Sequence, residues 1–156
     1  RTFRLLSYEH QTGLPTMLVA DSSRAGLQTG LMLLQYTAAS LVLENQTLAT
    51  PDSIHSLPTS AGQEDHNANS FNAVRNLQAI LENLRSIIAI ELLTAAEAID
   101  IRMEQFPDRQ PGLFARRLHS LIRNAAPPTG DDDHPWSNYI EGVGALIKSG
   151  AVKVCN

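Results

Sequence analysis

The sequence lacks most of the features that announce a function on first reading. A single cysteine, Cys155, stands among 156 residues, so no internal disulfide can form and no cysteine-based zinc motif can be assembled. A reducing compartment follows, and the expected localisation is cytoplasmic. Positive charge is also short: Lys plus Arg number 12 against 16 Asp plus Glu, a formal charge of -4. No chain-wide field draws in phosphate backbones, so a nucleic-acid partner is not expected. The most apolar stretch, Leu31 to Leu43, is interrupted by Gln35, Tyr36, Thr37 and Ser40. It falls short of the roughly 20 residues that a membrane-spanning helix needs. No signal peptide opens the chain, and its start on Arg1 rather than Met leads us to expect a portion of a longer protein.

Local chemistry is equally sparse. No glycine-rich phosphate loop is present, and neither Ser56 nor Ser60 lies in a G-x-S-x-G turn. The histidines His10, His55, His66, His119 and His134 never form the i, i+4 pair of a helical zinc site. Glu64-Asp65-His66 and Asp131-Asp132-Asp133-His134 are the only local candidates for a cation. Adjacent residues of an extended loop cannot all turn toward one ion, and a helix N-terminal role accounts for the second group. No metal is expected. Asn45-Gln46-Thr47 matches a glycosylation sequon, which without an export signal is chance.

What is present is helix. With 43% hydrophobic, 18% charged and 5% aromatic residues, the composition is that of one soluble, alanine- and leucine-rich domain with one core. After a helix end, Gly13-Leu14-Pro15 makes a turn and Asp21 to Gly26 a polar loop. A helix is predicted from Leu27 to about Asn45, capped by Thr29 or Asp21, with apolar residues on nearly every side, as suits a helix surrounded by others. Pro51 stops it. From Phe71 to Gln105, apolar residues at Val74, Leu77, Leu81, Leu84, Ile88, Leu92, Ala96 and Ile99 recur at spacings of three and four and mark a long helix. At ~1.5 Å per residue it reaches ~50 Å, more than a globule of this size is wide, so it bends or belongs to a bundle or oligomer. The segment from Phe106 to Gly112 ends it. A short helix then spans Leu113 to Asn124 with Arg116, Arg117 and Arg123 as solvated charges, and a last one spans Trp136 to Ser149, closed by Gly150. Trp136 and Tyr139 are read as packing residues. The expected fold class is all-α, a long-helix bundle, divided into residues 1–105 with the bundle helices and residues 106–156 with the short C-terminal ones.

Between the two long helices lies the stretch Ser53 to Ser70, polar and interrupted by Pro58 and Gly62. A loop of that length inside a helical domain tends to be functional. Two readings stand side by side. The loop supplies hydrogen-bonding groups to a pocket beside the positive end of the following helix, or Asn67, Asn69 and Ser70 simply cap that helix.

Ser56-Leu57-Pro58-Thr59-Ser60-Ala61-Gly62-Gln63-Glu64-Asp65-His66 resembles the corresponding loop of histidine ammonia-lyases and their aromatic amino-acid lyase and aminomutase relatives. Other stretches are similar in the same order: Gly13-Leu14-Pro15, Gly26 to Met32 with Gln35 and Thr37-Ala38-Ala39, Glu44-Asn45, Glu82-Asn83, Ile90 to Leu93, and Ala98 to Arg102. The similarity spans about residues 1 to 105.

The resemblance implies the C-terminal portion of an ammonia-lyase fold, with a tetramer of long helices and active sites built from more than one subunit. It implies a small amino-acid substrate, most closely L-histidine converted to urocanate and ammonia, with aromatic lyases and aminomutases as the neighbouring alternatives. It also implies a methylidene-imidazolone group made from an Ala-Ser-Gly triad. No such triad occurs here, and the family's general-base tyrosine belongs to a more N-terminal part, so the segment is not expected to be active alone. A non-catalytic helical oligomerisation module is the alternative of a different class. By the same resemblance Gln63 is a hydrogen-bonding support, and Glu64 is a substrate contact, suited to an imidazole N–H because a carboxylate accepts a charge-assisted bond. Gly62 stands where the family usually has Asn, and Asn67-Ala68-Asn69 where it usually has Val-Ser-Met.

Overall fold

In a computed structural model, residues 1–19, 27–128 and 135–152 are described. The stretch Asp21 to Gly26, the acidic group Asp131 to His134 and Cys155 lie outside the described residues, as do the roles expected of them. The helices in chain order are α1 (Thr2–Ser7), α2 (Glu9–Thr12), α3 (Met32–Leu48), α4 (Ser70–Gln105), α5 (Leu113–Ala125) and α6 (Trp136–Lys148). Single 3-10 turns occur at Thr16–Leu18, Asp52–His55 and Ser60–Gly62. No strand occurs among the described residues, and the architecture is all-α as expected.

Glycine conformation sets two of these boundaries. Gly13 takes the left-handed conformation that ends α2. Gly30, at φ +53, sits so close to the chain that an added Cβ would lie 2.3 Å from the Met17 carbonyl oxygen. That left-handed residue keeps α3 from starting at Leu27; it begins at Met32 and runs on to Leu48.

Residues 1–38 and 85–156 form one compact unit and residues 39–84 another. In the first, buried side chains gather in two clusters where composition predicted one core. Leu6, Leu14, Leu18, Leu31, Leu34, Ile90, Ala98 and Ile101 make up one, and Ala89, Leu93, Ala96, Ile122, Ala126 and Val143 the other. The cause is visible in α4. Over its C-terminal half, Ile90 and Ile101 project into one cluster while Ala89, Leu93 and Ala96 project into the other, so the helix is apolar on two sides. Each fully buried Leu or Ile contributes about 1.5–3 kcal/mol relative to an exposed one. Trp136 and Tyr139 pack edge to face with ring centroids 5.9 Å apart and lie against these clusters. That is the packing role read from the sequence.

One expectation for the helical surface is corrected. Arg116 and Arg117 are exposed, but Arg123 is not a solvated charge. Its side chain is only 11% exposed and is 3.0 Å from Glu97, itself 8% exposed. Arg123 also pairs with Asp100, whose other oxygen is 2.6 Å from His119 Nε2. Two positions on α4, three residues apart, thus meet two on α5, four residues apart.

The second unit is built differently. No residue from 39 to 84 is buried, and the side chains that tie it together are amides. Asn83 donates to Glu44 Oε2 and Asn45 Oδ1, each at 3.0 Å. Asn76 donates to Asp52 Oδ2 at 3.0 Å, and Asn69 to the Asp52 carbonyl at 3.1 Å.

Candidate functional site

The loop between α3 and α4 folds back on itself around Thr59 and Glu64. Their backbones form an antiparallel bridge, with the Thr59 amide donating to the Glu64 carbonyl at 2.8 Å and the Glu64 amide to the Thr59 carbonyl at 3.2 Å. To reverse direction between them, Ser60, Ala61 and Gly62 take positive φ values of 51, 55 and 87. Only glycine adopts that region without cost. For Ser60 and Ala61 it is strain, of a kind that gathers at functional positions.

The side chains complete the fold-back. Thr59 Oγ1 donates to Glu64 Oε2 at 2.9 Å. Asn67 reaches across the loop: its backbone amide donates to Ser56 Oγ at 2.7 Å, and its side-chain amide donates to the Leu57 carbonyl at 2.9 Å and to Thr59 Oγ1 at 3.3 Å. The capping alternative is therefore not what Asn67 and Asn69 do. Their side chains tie the loop, and only the Asn69 carbonyl serves the helix, accepting from the Asn72 and Ala73 amides.

Beside this turn lies a cleft of about 610 Å³ lined by Asp52, His55, Leu57, Thr59 and the segment from Asn67 to Asn72. The first turn of α4 belongs to the lining, so the positive end of a 36-residue helix is part of the cleft wall. Gln63 and Glu64 are exposed and stand outside the lining. Thr59 connects the two: it belongs to the cleft lining and its hydroxyl donates to Glu64. Gln63 donates its backbone amide to Ser60 and leaves its side chain free. Glu64 is a carboxylate with one oxygen held and one open, able to accept a hydrogen bond from a ligand. Sequence reasoning read Asn67 only as a helix cap and gave Thr59 no role; here both bond within the loop. The signal for them was the amide-rich composition of the loop itself.

Among the described residues no group of three His, Cys, Asp or Glu is gathered to hold an ion, and Glu64, Asp65 and His66 do not converge. No described helix is long and apolar enough to cross a membrane. The residues present also do not supply the prosthetic group that the resemblance implies. The fold-back turn reads Ser60-Ala61-Gly62, and no Ala-Ser-Gly triad exists from which an imidazolone ring could close.

The family model for aromatic amino acid lyases matches residues 1–124. The histidine ammonia-lyase of Natranaerobius thermophilus is 41% identical over 150 residues, covering 96% of this chain and 28% of that protein. The crystal structure of histidine ammonia-lyase from Trypanosoma cruzi superposes with a TM-score of 0.81 at 36% identity, over 97% of this chain and 28% of that one. The crystal structure of tyrosine aminomutase from Streptomyces globisporus does so with a TM-score of 0.80 at 32% identity, over 96% of this chain and 27% of that one. The chain thus spans about 28% of the length of the curated relatives it matches.

Proposed function

The chain belongs to the aromatic amino acid lyase family, and from that premise we propose that it is the segment of a histidine ammonia-lyase that carries a substrate-pocket loop. The reaction is elimination from L-histidine. The Cα–N bond breaks, a proton leaves Cβ, and the new Cα–Cβ double bond gives trans-urocanate and ammonia. Similarity to a histidine ammonia-lyase at 41% identity across 96% of the chain supports this choice of substrate.

The observation that carries the reading is the state of Glu64. It is an exposed carboxylate on a strained turn, with Oε2 engaged by Thr59 and Oε1 open to accept a ring N–H from the substrate. Gln63, whose side chain is free, takes the hydrogen-bonding supporting role that the family resemblance implies. The methylidene-imidazolone group, formed from residues outside this segment, supplies the electrophile for the substrate amine. The part played by these residues is to bind and orient the imidazole. The complete enzyme is a cytoplasmic homo-oligomer, a tetramer, serving histidine degradation, and this segment is inactive without the remainder.

A second reading, tyrosine or other aromatic aminomutase activity, is favoured by the likeness to the Streptomyces globisporus enzyme. The complete protein incubated with L-histidine distinguishes them: urocanate absorbance is expected, and a β-amino acid product instead would replace the lyase with an aminomutase. An in-frame Ala-Ser-Gly upstream of Arg1 is expected. Its absence would leave only a non-catalytic helical module.

A further inference from the structure

We propose that Asn67 and Thr59 form a positioning relay for Glu64, fixing one carboxylate oxygen so that the other is presented to an N–H of a heteroaromatic substrate side chain. This rests on the assignment of Glu64 as the substrate contact.

The direction of each hydrogen bond in the relay follows from what the groups can do. The Leu57 carbonyl only accepts, so the Asn67 side-chain atom 2.9 Å from it is the amide nitrogen. That nitrogen has a second hydrogen, which meets Thr59 Oγ1 at 3.3 Å. The Thr59 hydroxyl accepts this bond and has one hydrogen of its own to give. Glu64 Oε2, an acceptor at 2.9 Å, receives it. Asn67 is in turn fixed by its backbone bond to Ser56 Oγ at 2.7 Å. The donors therefore run from the Asn67 amide, anchored on the Leu57 carbonyl, through the Thr59 hydroxyl to one oxygen of an exposed carboxylate, and they stop there. No bond is assigned to Glu64 Oε1.

An exposed glutamate ordinarily samples many rotamers, and a ligand that binds it must first order it. Here the side chain is held before any ligand arrives, on a turn whose own strained backbone spans only the residues between Thr59 and Glu64. A preorganised acceptor favours a substrate with a ring N–H over one with a bare hydrocarbon ring. Thr59 and Asn67 are positioning residues, because they act through Glu64.

The test uses the complete protein and four variants: Thr59→Val, Thr59→Ser, Asn67→Leu and Glu64→Gln. Losing a single positioning hydrogen bond is expected to raise KM for L-histidine about three- to tenfold in Thr59→Val and Asn67→Leu while kcat stays within about twofold. Thr59→Ser, which keeps the hydroxyl, is expected to match the parent. Thr59→Val in the Glu64→Gln background is expected to add nothing. Unchanged KM in Thr59→Val alongside a raised KM in Glu64→Gln overturns the relay and leaves the Glu64 assignment standing. Unchanged KM in Glu64→Gln overturns both. Thr59 is exposed and valine is nearly its size, so Thr59→Val reads the relay even if Asn67→Leu fails to fold.

Discussion

Arg123 on α5 lies 3.0 Å from Glu97 on α4, with both side chains close to fully buried. The same guanidinium meets Asp100 and, through Nη1, the Ala126 and Pro127 carbonyls at 3.3 and 3.4 Å. One cation thus answers a buried and a half-buried carboxylate and the end of its own helix. A buried pair contributes little net stability compared with an apolar replacement of both members, but removing one member strands the others without solvent.

Replacing Arg123 is therefore expected to be severe. Arg123→Ala removes the guanidinium that Glu97 and Asp100 share, at a cost of about 3–5 kcal/mol. Arg117→Ala, on the exposed side of the same helix, is expected to change stability by no more than about 0.5 kcal/mol. Denaturant midpoints of the complete protein carrying each change measure the difference, and equal midpoints would show that the buried cluster does not hold α5 in place.

The contrast between the two arginines marks where sequence reading stopped. Arg116, Arg117 and Arg123 look alike in a string, and only the packing of α5 on α4 distinguishes the last. A cue was present, since Glu97 and Asp100 are three apart and His119 and Arg123 four apart, as two facing helix stripes require. The long helix was legible to within one residue because its period is unmistakable over ten turns. The start of α3 was not, because it depends on the close approach of Gly30 to Met17. In the loop, the role of Glu64 was reached by resemblance, while the bonding roles of Thr59 and Asn67 were not. Their roles come from a reversal through positive φ at Ser60 and Ala61, a conformation that neither residue type advertises.

Two glycines with left-handed backbones give a paired prediction. At Gly30 a methyl group would collide with backbone, 2.3 Å from the Met17 oxygen and 2.9 Å from Val19 Cγ2. At Gly62, φ +87, it would meet nothing within 4 Å. Gly62→Ala is expected to cost about 1–2 kcal/mol for the backbone conformation alone. Gly30→Ala adds a clash and is expected to exceed it by at least about 1 kcal/mol. Thermal unfolding of the two variants ranks them, and the reverse order would contradict the close approach.

Leu93 lies at 1% exposure in the second buried cluster, with Ala89 and Ala96 one turn to either side on the same helix. Leu93→Ala is expected to destabilise by about 2–5 kcal/mol, since small neighbours leave little with which to fill the cavity. Urea unfolding of the complete protein measures it. A loss under about 1 kcal/mol would mean that the cluster is loosely packed.

On the same helix, Val74, Leu77, Leu81 and Leu84 are 43–53% exposed, and Phe71 ahead of them is 80% exposed. These are the residues of the stripe that, farther along, meets the second cluster at Leu92 and Ala96, and a stripe of this length is not left to water in a protein that stays dispersed. Leucine is exposed on α3 as well, at Leu33 and Leu43. The isolated segment is therefore expected to associate, and Leu77→Glu with Leu81→Glu is expected to shift it toward smaller species while leaving helix content unchanged. Sedimentation velocity on both proteins decides the matter. A clean monomer for the unaltered segment would show that the stripe needs no cover. A segment that associates equally with and without the two glutamates would place the contact on another surface.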